Sequence, residues 1–224
     1  MFELPDLAAV LPRLALLLPV ILGSLVLHEM AHGYAALRLG DPTAQRLGRL
    51  SLNPIRHLDP VGLTVFLACF TFLGVGFGWA KPVPIDPRNL KNPKRDMAVI
   101  AAAGPAINFT LALLCVGYLA ALHFAGIPVG QALGTLLRLE DLAAPLTRAE
   151  LLVLPGMVGI TVNLVLGLGN LIPIPPLDGS RILYACLPYY WGFRYYQLQR
   201  FTLPGLVALP AAALLLVLYT RIAS

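Results

Sequence analysis

Charge-free apolar runs dominate the chain, and polar stretches separate them at intervals that suit repeated crossings of a bilayer. Residues 14–37, 97–125, 151–171 and 201–220 are each long enough to span a hydrocarbon core, which takes about 20 helical residues. The run from 97 continues to 137 without a formal charge, and Gly126-Ile127-Pro128 is the natural end of its crossing. Residues 61–80 are also apolar, but Gly62, Gly74, Gly76 and Gly78 weaken a helix there, so that segment either crosses or enters and returns. Between the first two runs, Arg46-Leu47-Gly48-Arg49-Leu50-Ser51-Leu52 alternates imperfectly before Asn53-Pro54, a pattern closer to a short strand pair than to a helix. Pro173, Pro175 and Pro176 end the 151–171 run and impose extended backbone. The Tyr, Trp and Phe residues of 184–196 read as an interfacial belt. The expectation is an all-α polytopic membrane protein, a helical bundle of about four to six membrane segments with a small membrane-associated β element near residues 46–54. It forms one domain over residues 1–224, with a core at about 20–185 and an interfacial segment and final span over 186–222.

Composition agrees with the pattern. At 58% hydrophobic and 12% charged residues, with a mean hydropathy of +0.78, the chain carries more apolar surface than a soluble core of 224 residues can bury. Because apolar runs recur along the chain, a cleaved signal peptide does not explain the first of them. Cys69, Cys115 and Cys186 lie in apolar surroundings without C-x-x-C spacing, which excludes a disulfide framework and a thiolate zinc site. The net charge of +5 gathers in two loops beside hydrophobic spans, so membrane topology explains it better than nucleic acid does.

The chemistry starts in the first span. Between Arg13 and Arg38 the only ionisable side chains are His28, Glu29 and His32. Each costs about 2 kcal/mol or more at membrane depth unless it is paired or serves a function. On a helix, residues four apart project from one face, so His28 and His32 can direct two imidazoles at one ion. Zinc suits this donor set and keeps an open position for water, from which the adjacent Glu29 can take a proton. A hydrolytic site needs a third ligand, and Asp178 is the best candidate because it follows the proline break. Its other reading is a helix N-cap for residues 179–187. His57 and Asp59 sit in a polar loop and are weaker candidates, and His123 is isolated near the end of a span.

At this point the chain resembles the site-2 protease family of intramembrane zinc metalloproteases, peptidase family M50. The likeness is carried by H-E-x-x-H at 28–32, by Gly104-Pro105-Ala106-Ile107-Asn108, and by Asn170-Leu171-Ile172-Pro173-Ile174-Pro175-Pro176-Leu177-Asp178-Gly179. Gly48 to Pro54 and Phe77 to Pro84 add to it, so it covers roughly residues 20–185. The resemblance implies one zinc ion per chain held by His28, His32 and Asp178, with Glu29 as general base. It also implies that Asn108 lines the site, holding substrate backbone or a developing oxyanion; a helix-to-helix hydrogen bond is the other reading of that residue. Asn170 is read as support for the Asp178 segment, and Gly104 and Pro105 are assigned to close packing. The family further suggests that Gly48, Leu50 and Asn53 belong to an extended element that adds a substrate strand. A PDZ or CBS domain is not evident, and the chain is expected to be the minimal form.

Joining His28, His32 and Asp178 at one depth constrains the topology. If 14–37, 97–125 and 151–171 each cross once and 61–80 re-enters, both ligand sets fall on one side. Residues 38–96 carry nine Lys and Arg against four Asp, which marks that side as cytoplasmic. The expected function is hydrolysis of peptide bonds in or near transmembrane segments of membrane-protein substrates in a prokaryotic cell membrane, the partners being the substrate and the lipid bilayer. The alternatives are a non-catalytic membrane-helix-binding protein of the same fold, which has no need of Glu29, and a metal transporter, which needs more polar groups along its spans.

Overall fold

In lipid an apolar segment has to satisfy its backbone internally, and the charge-free runs do so as helices. The structure, a computed structural model, describes residues 7–65, 81–138 and 146–197. Within them lie α1 (Leu7–Arg38), the short α2 (Thr43–Arg46), α3 (Pro93–Phe124), α4 (Val129–Arg138), α5 (Arg148–Leu171), α6 (Asp178–Cys186) and α7 (Tyr189–Gln197). Three of these helices are long and apolar enough to cross a membrane, over Ala15–Arg38, Pro93–Phe124 and Arg148–Leu171. The expected final span, 201–220, and most of the 61–80 segment lie outside the described residues.

Local sequence sets the helix ends. α1 stops at Gly40, whose φ of 109° is open to glycine, and the Asp41 N–H returns to the Ala36 carbonyl at 2.9 Å. α3 starts at Pro93, where a missing N–H costs nothing, and Asp96 in its first turn accepts from the Asn92 N–H. α5 opens on a capping box in which Thr147 and Glu150 bond reciprocally.

Paired contacts fix the directions of the spans. Going up α1 from His28 to His32, the partners on α3 descend from Asn108 to Ile100, so the two helices are antiparallel. Gly156, Gly159 and Gly167 of α5 face Leu119, Cys115 and Phe109 of α3 in turn, which makes that pair antiparallel as well. α1 and α5 are therefore parallel; each packs on α3, and they meet each other directly where Asn163 bonds Ser24. The C-terminal ends of α1 and α5 share a level with the N-terminal part of α3. Leu119, Val129, Ala132 and Val153 form a core at one end of this bundle, and Ala36, Leu90 and Ile100 form one at the other. Leu113, Leu114 and Val116 of α3 and Val165 and Leu168 of α5 face outward, as lipid-contacting faces do.

The strand pair expected over residues 46–54 is not formed. Gly48 takes a φ of 64° and makes a turn after α2, with its carbonyl held by Arg56 at 2.7 Å. Leu50 packs onto Gly33 of α1, and Asn53 caps a 3-10 turn at Pro54–Arg56 by accepting from the Ile55 N–H. A left-handed glycine and an Asn-Pro cap within seven residues break the extended run that the alternation suggested.

What organises this side of the bundle is Asp41, a carboxylate with no exposed surface. It accepts from the Thr43 N–H and hydroxyl, the Asp86 N–H at 2.7 Å and the Asn89 amide at 2.8 Å. Burial pushes its pKa up, but the donors from Thr43, Asn89 and Asp86 outweigh that and hold it below the ordinary carboxylate value. Asp41 thereby pins residues 81–89 beside α1. Arg49 on the Lys81 carbonyl, and the Lys81 N–H on the His57 carbonyl, secure the start of the same segment.

Candidate metal centre

His28 and His32 lie one turn apart on α1, both 5% exposed, with their rings edge to face at 4.7 Å. Each imidazole is held from behind through Nδ1. His28 Nδ1 meets Asn108 Oδ1 at 2.5 Å, and His32 Nδ1 donates to the Ile100 carbonyl at 2.8 Å, both partners being on α3. A carbonyl oxygen only accepts, so the proton of each neutral ring sits on Nδ1 and the lone pair on Nε2. The two Nε2 atoms point at each other, 3.1 Å apart.

The rings have room because α3 presents Gly104 to them. A Cβ at that position would come within 2.6 Å of both imidazoles. Pro105 follows and removes the N–H that would serve the Ala101 carbonyl. Gly104 was assigned to close packing on sequence grounds; what packs against it is the pair of histidine rings.

Asp178 arrives from the other direction. The proline-containing turn after α5 reverses the chain, and α6 starts with Asp178 as its first residue. Gly179 lets this start press against the end of α5, since a Cβ there would collide with the Leu171 carbonyl. At its far end α6 is tied to α3 by Lys94, whose Nζ donates to the Leu187 carbonyl at 2.5 Å. Asp178 is 6% exposed, and its Oδ2 stands 3.3 Å from His28 Nε2 and 3.2 Å from His32 Nε2. Oδ1 faces Arg181 at 3.8 Å. The other reading of Asp178, a helix N-cap, is not realised; Asp178 is inside the first turn with its carboxylate turned to the histidines.

Oδ2 is buried without a hydrogen-bond donor. With both imidazoles neutral and their protons on Nδ1, three electron-pair donors, two nitrogens and a carboxylate oxygen, converge here, an arrangement that repels itself unless a cation or an added proton sits within it. A tetrahedral zinc site with bonds of about 2.0–2.1 Å separates its ligand atoms by roughly 3.3 Å, leaving one position for water. The observed separations of 3.1, 3.2 and 3.3 Å match that spacing. Among the described residues this is the one group of three that can hold a metal ion.

Glu29 is half-buried on the same turn and outside the ligand triangle. Its Oε2 accepts from the Val83 N–H at 2.9 Å, so the segment pinned by Asp41 holds the carboxylate. The other candidates have separate tasks. Asn108 Nδ2 donates to Asn163 at 2.7 Å, so both ends of its amide are engaged within the bundle. Asn170 donates to the Leu166 carbonyl of its own helix. His57 bonds the Ser51 carbonyl, Asp59 caps the turn at Val61 and Gly62, and His123 stacks near Phe124 toward the opposite end of α3. Gly48, Leu50 and Asn53 shape the loop described above and do not reach the ligands.

Sequence reasoning passed over Asn163, Ser24 and the Val83 backbone. Asn163 was detectable: it is a polar residue mid-span in 151–171, where the cost argument used for His28 applies equally. The Val83 N–H left no such signal, because a backbone group has no residue type.

Residues 16–194 match the family model Peptidase family M50. The chain is 39% identical over 165 residues to a Bacillus subtilis (strain 168) protein named "Putative zinc metalloprotease YwhC", covering 74% of this chain and 66% of that protein. It is 35% identical over 98 residues to "Putative zinc metalloprotease Rip2" of Mycolicibacterium smegmatis, covering 42% and 36%. The chain thus spans just under two thirds of the first relative's length and about a third of the second's. No solved structure matches it.

Proposed function

The chain belongs to peptidase family M50, and from that premise we propose that it is a zinc metalloendopeptidase that hydrolyses peptide bonds in or near transmembrane segments of membrane proteins. The observation that carries this reading is the convergence of His28 Nε2, His32 Nε2 and Asp178 Oδ2 within 3.3 Å of one another, beside a carboxylate that is not one of them. His28, His32 and Asp178 would hold the ion. When bound, zinc supplies a Lewis acid that makes water a competent nucleophile near neutral pH and polarises the scissile carbonyl. Glu29 takes the proton of the attacking water and returns it to the departing amine. The Val83 N–H steadies the Glu29 carboxylate between those two transfers. His28, His32 and Asp178 are each only 5–6% exposed, and that burial strengthens these electrostatic interactions.

The three apolar spans support an integral membrane location. The Lys and Arg excess of residues 38–96 supports a cytoplasmic-facing site, and that basic region includes the loop that holds Glu29. A peptide bond within a helix is shielded by its own hydrogen bonds, so the substrate has to unwind before attack.

The test is cleavage of a model transmembrane substrate by purified full-length protein, with zinc counted on the same samples. Glu29→Gln is expected to keep one zinc per chain and lose activity by roughly 10²- to 10⁴-fold, the usual worth of a general base. Equal cleavage by both forms, or an absence of zinc from both, sinks the reading.

A further inference from the structure

A chain of side-chain hydrogen bonds leaves the metal centre and crosses the bundle. His28 Nδ1 meets Asn108 Oδ1 at 2.5 Å, and Asn108 Nδ2 donates to Asn163 Oδ1 at 2.7 Å. Asn163 Nδ2 then donates to the Gly159 carbonyl at 2.8 Å and to Ser24 Oγ at 2.9 Å. Ser24 Oγ in turn donates a hydrogen bond to the Val20 carbonyl at 2.8 Å. Asn108 and Asn163 are 0% and 2% exposed, so these partners stand in place of water.

A primary amide is two-faced: half a turn exchanges its acceptor for its donor. Turned over, Asn108 would point an NH2 group at His28 Nδ1. The imidazole would answer by moving its proton to Nε2, the atom aimed at Asp178 and His32, and would cease to be a ligand there. Asn163 Oδ1 prevents this by accepting the Asn108 NH2. Asn163 is prevented from turning in its own case by the Gly159 carbonyl, which can only accept. One backbone carbonyl on α5 therefore sets the direction of every bond up to His28.

We propose that Asn163 is a positioning residue of the metal centre: through Asn108 it holds His28 in the tautomer that offers Nε2 to zinc. This rests on the zinc reading above. A network spanning α1, α3 and α5 also ties the helices together, so the test needs a readout that packing alone does not move. Ser24 supplies one control, because Gly159 still orients Asn163 when the hydroxyl is gone.

The experiment uses full-length protein and measures zinc affinity by chelator competition, and the tautomer of His28 in the zinc-free protein by ¹⁵N chemical shifts. Asn163→Leu, of similar volume and without polar atoms, is expected to weaken zinc about 10-fold, at the lower end for residues behind a ligand. It is also expected to move the His28 proton in part to Nε2. Asn163→Asp, whose neutral carboxyl presents the same acceptor and donor, recovers most of both, and Ser24→Ala changes neither. Where leucine prevents folding, Asn163→Ala, a small residue without polar side-chain atoms that transmembrane packing tolerates, is expected to show the same two shifts. A folded Asn163→Leu or Asn163→Ala protein with wild-type zinc affinity and the proton still on Nδ1 overturns the proposal. Wild-type protein that binds no zinc overturns the metal reading itself, and the proposal with it.

Discussion

Two buried aspartates stand near opposite ends of the same polar region, and their surroundings are opposite in kind. Asp41 is fully buried and receives donors from Thr43, Asp86 and Asn89, each bond aimed at one of its oxygens. Asp178 is almost as buried, and its Oδ2 faces two imidazole nitrogens whose protons are on the far side of the ring. Burying a carboxylate is costly in both places. At Asp41 the protein meets that cost from its own N–H and O–H groups, and the result is a fixed loop. At Asp178 it does not for Oδ2, the oxygen proposed to meet the cation. Burial by itself therefore does not mark a functional acid; a shortfall of donors does.

Removing each carboxylate sharpens the contrast. Asp178→Ala takes away a proposed ligand and is expected to lower zinc affinity by more than about 100-fold, beyond the usual effect of residues behind a ligand. Metal analysis after dialysis against a weak chelator reads this directly. Because it deletes a buried carboxylate whose Oδ2 has no donor and whose Oδ1 meets Arg181 only at 3.8 Å, the zinc-free variant is expected to melt no lower than zinc-free wild type. A zinc-free Asp178→Ala protein that melts well below wild type would break the comparison, since Asp178 would then be architectural too.

Gly104→Ala attacks the same site without replacing any of its three proposed ligands. The added Cβ meets both imidazoles, so the rings have to shift, and zinc affinity is expected to fall on the order of 10-fold. Titration against a competing chelator measures it.

Asp41→Asn is expected to have the smallest effect on metal, with one zinc retained per chain, and a moderate one on stability. The amide brings an NH2 group among groups that already donate, at a cost of about 2 kcal/mol. The pH dependence follows from the lowered Asp41 pKa. A carboxyl whose folded pKa lies below its unfolded one contributes stability above the unfolded value, near 3.8 for Asp, and loses it as pH falls through the folded value. Melting curves between about pH 5 and pH 2.5 are expected to show acid destabilisation of wild type that is smaller in Asp41→Asn.

The legible and illegible parts of the molecule divide along physical lines. The spans over 15–38, 93–124 and 148–171 could be read because a bilayer leaves a long apolar segment few options. His28, Glu29 and His32 stood out because ionisable groups are expensive at that depth. Asp178 could be chosen because few polar groups lay near a break in the helices. The 46–54 segment misled, since imperfect alternation in a loop outside the bilayer is weak evidence once Gly48 and Asn53-Pro54 fold it on themselves. Asn108 was read both as a site-lining residue and as a helix-to-helix link; in the structure one amide bonds His28 and Asn163 together.

By itself the sequence determined the class of molecule, the first two ligand candidates and the neighbouring acid, because hydrophobic run length and i, i+4 spacing are local quantities that need no partner to be read. Tertiary structure alone decided which nitrogen of each histidine faces Asp178, which donors Asp178 lacks, and that Glu29 leans on the Val83 N–H. Those are relations between atoms many residues apart, fixed by the antiparallel register of α1, α3 and α5. A hydrogen bond has a direction, and no residue type records which way it will run.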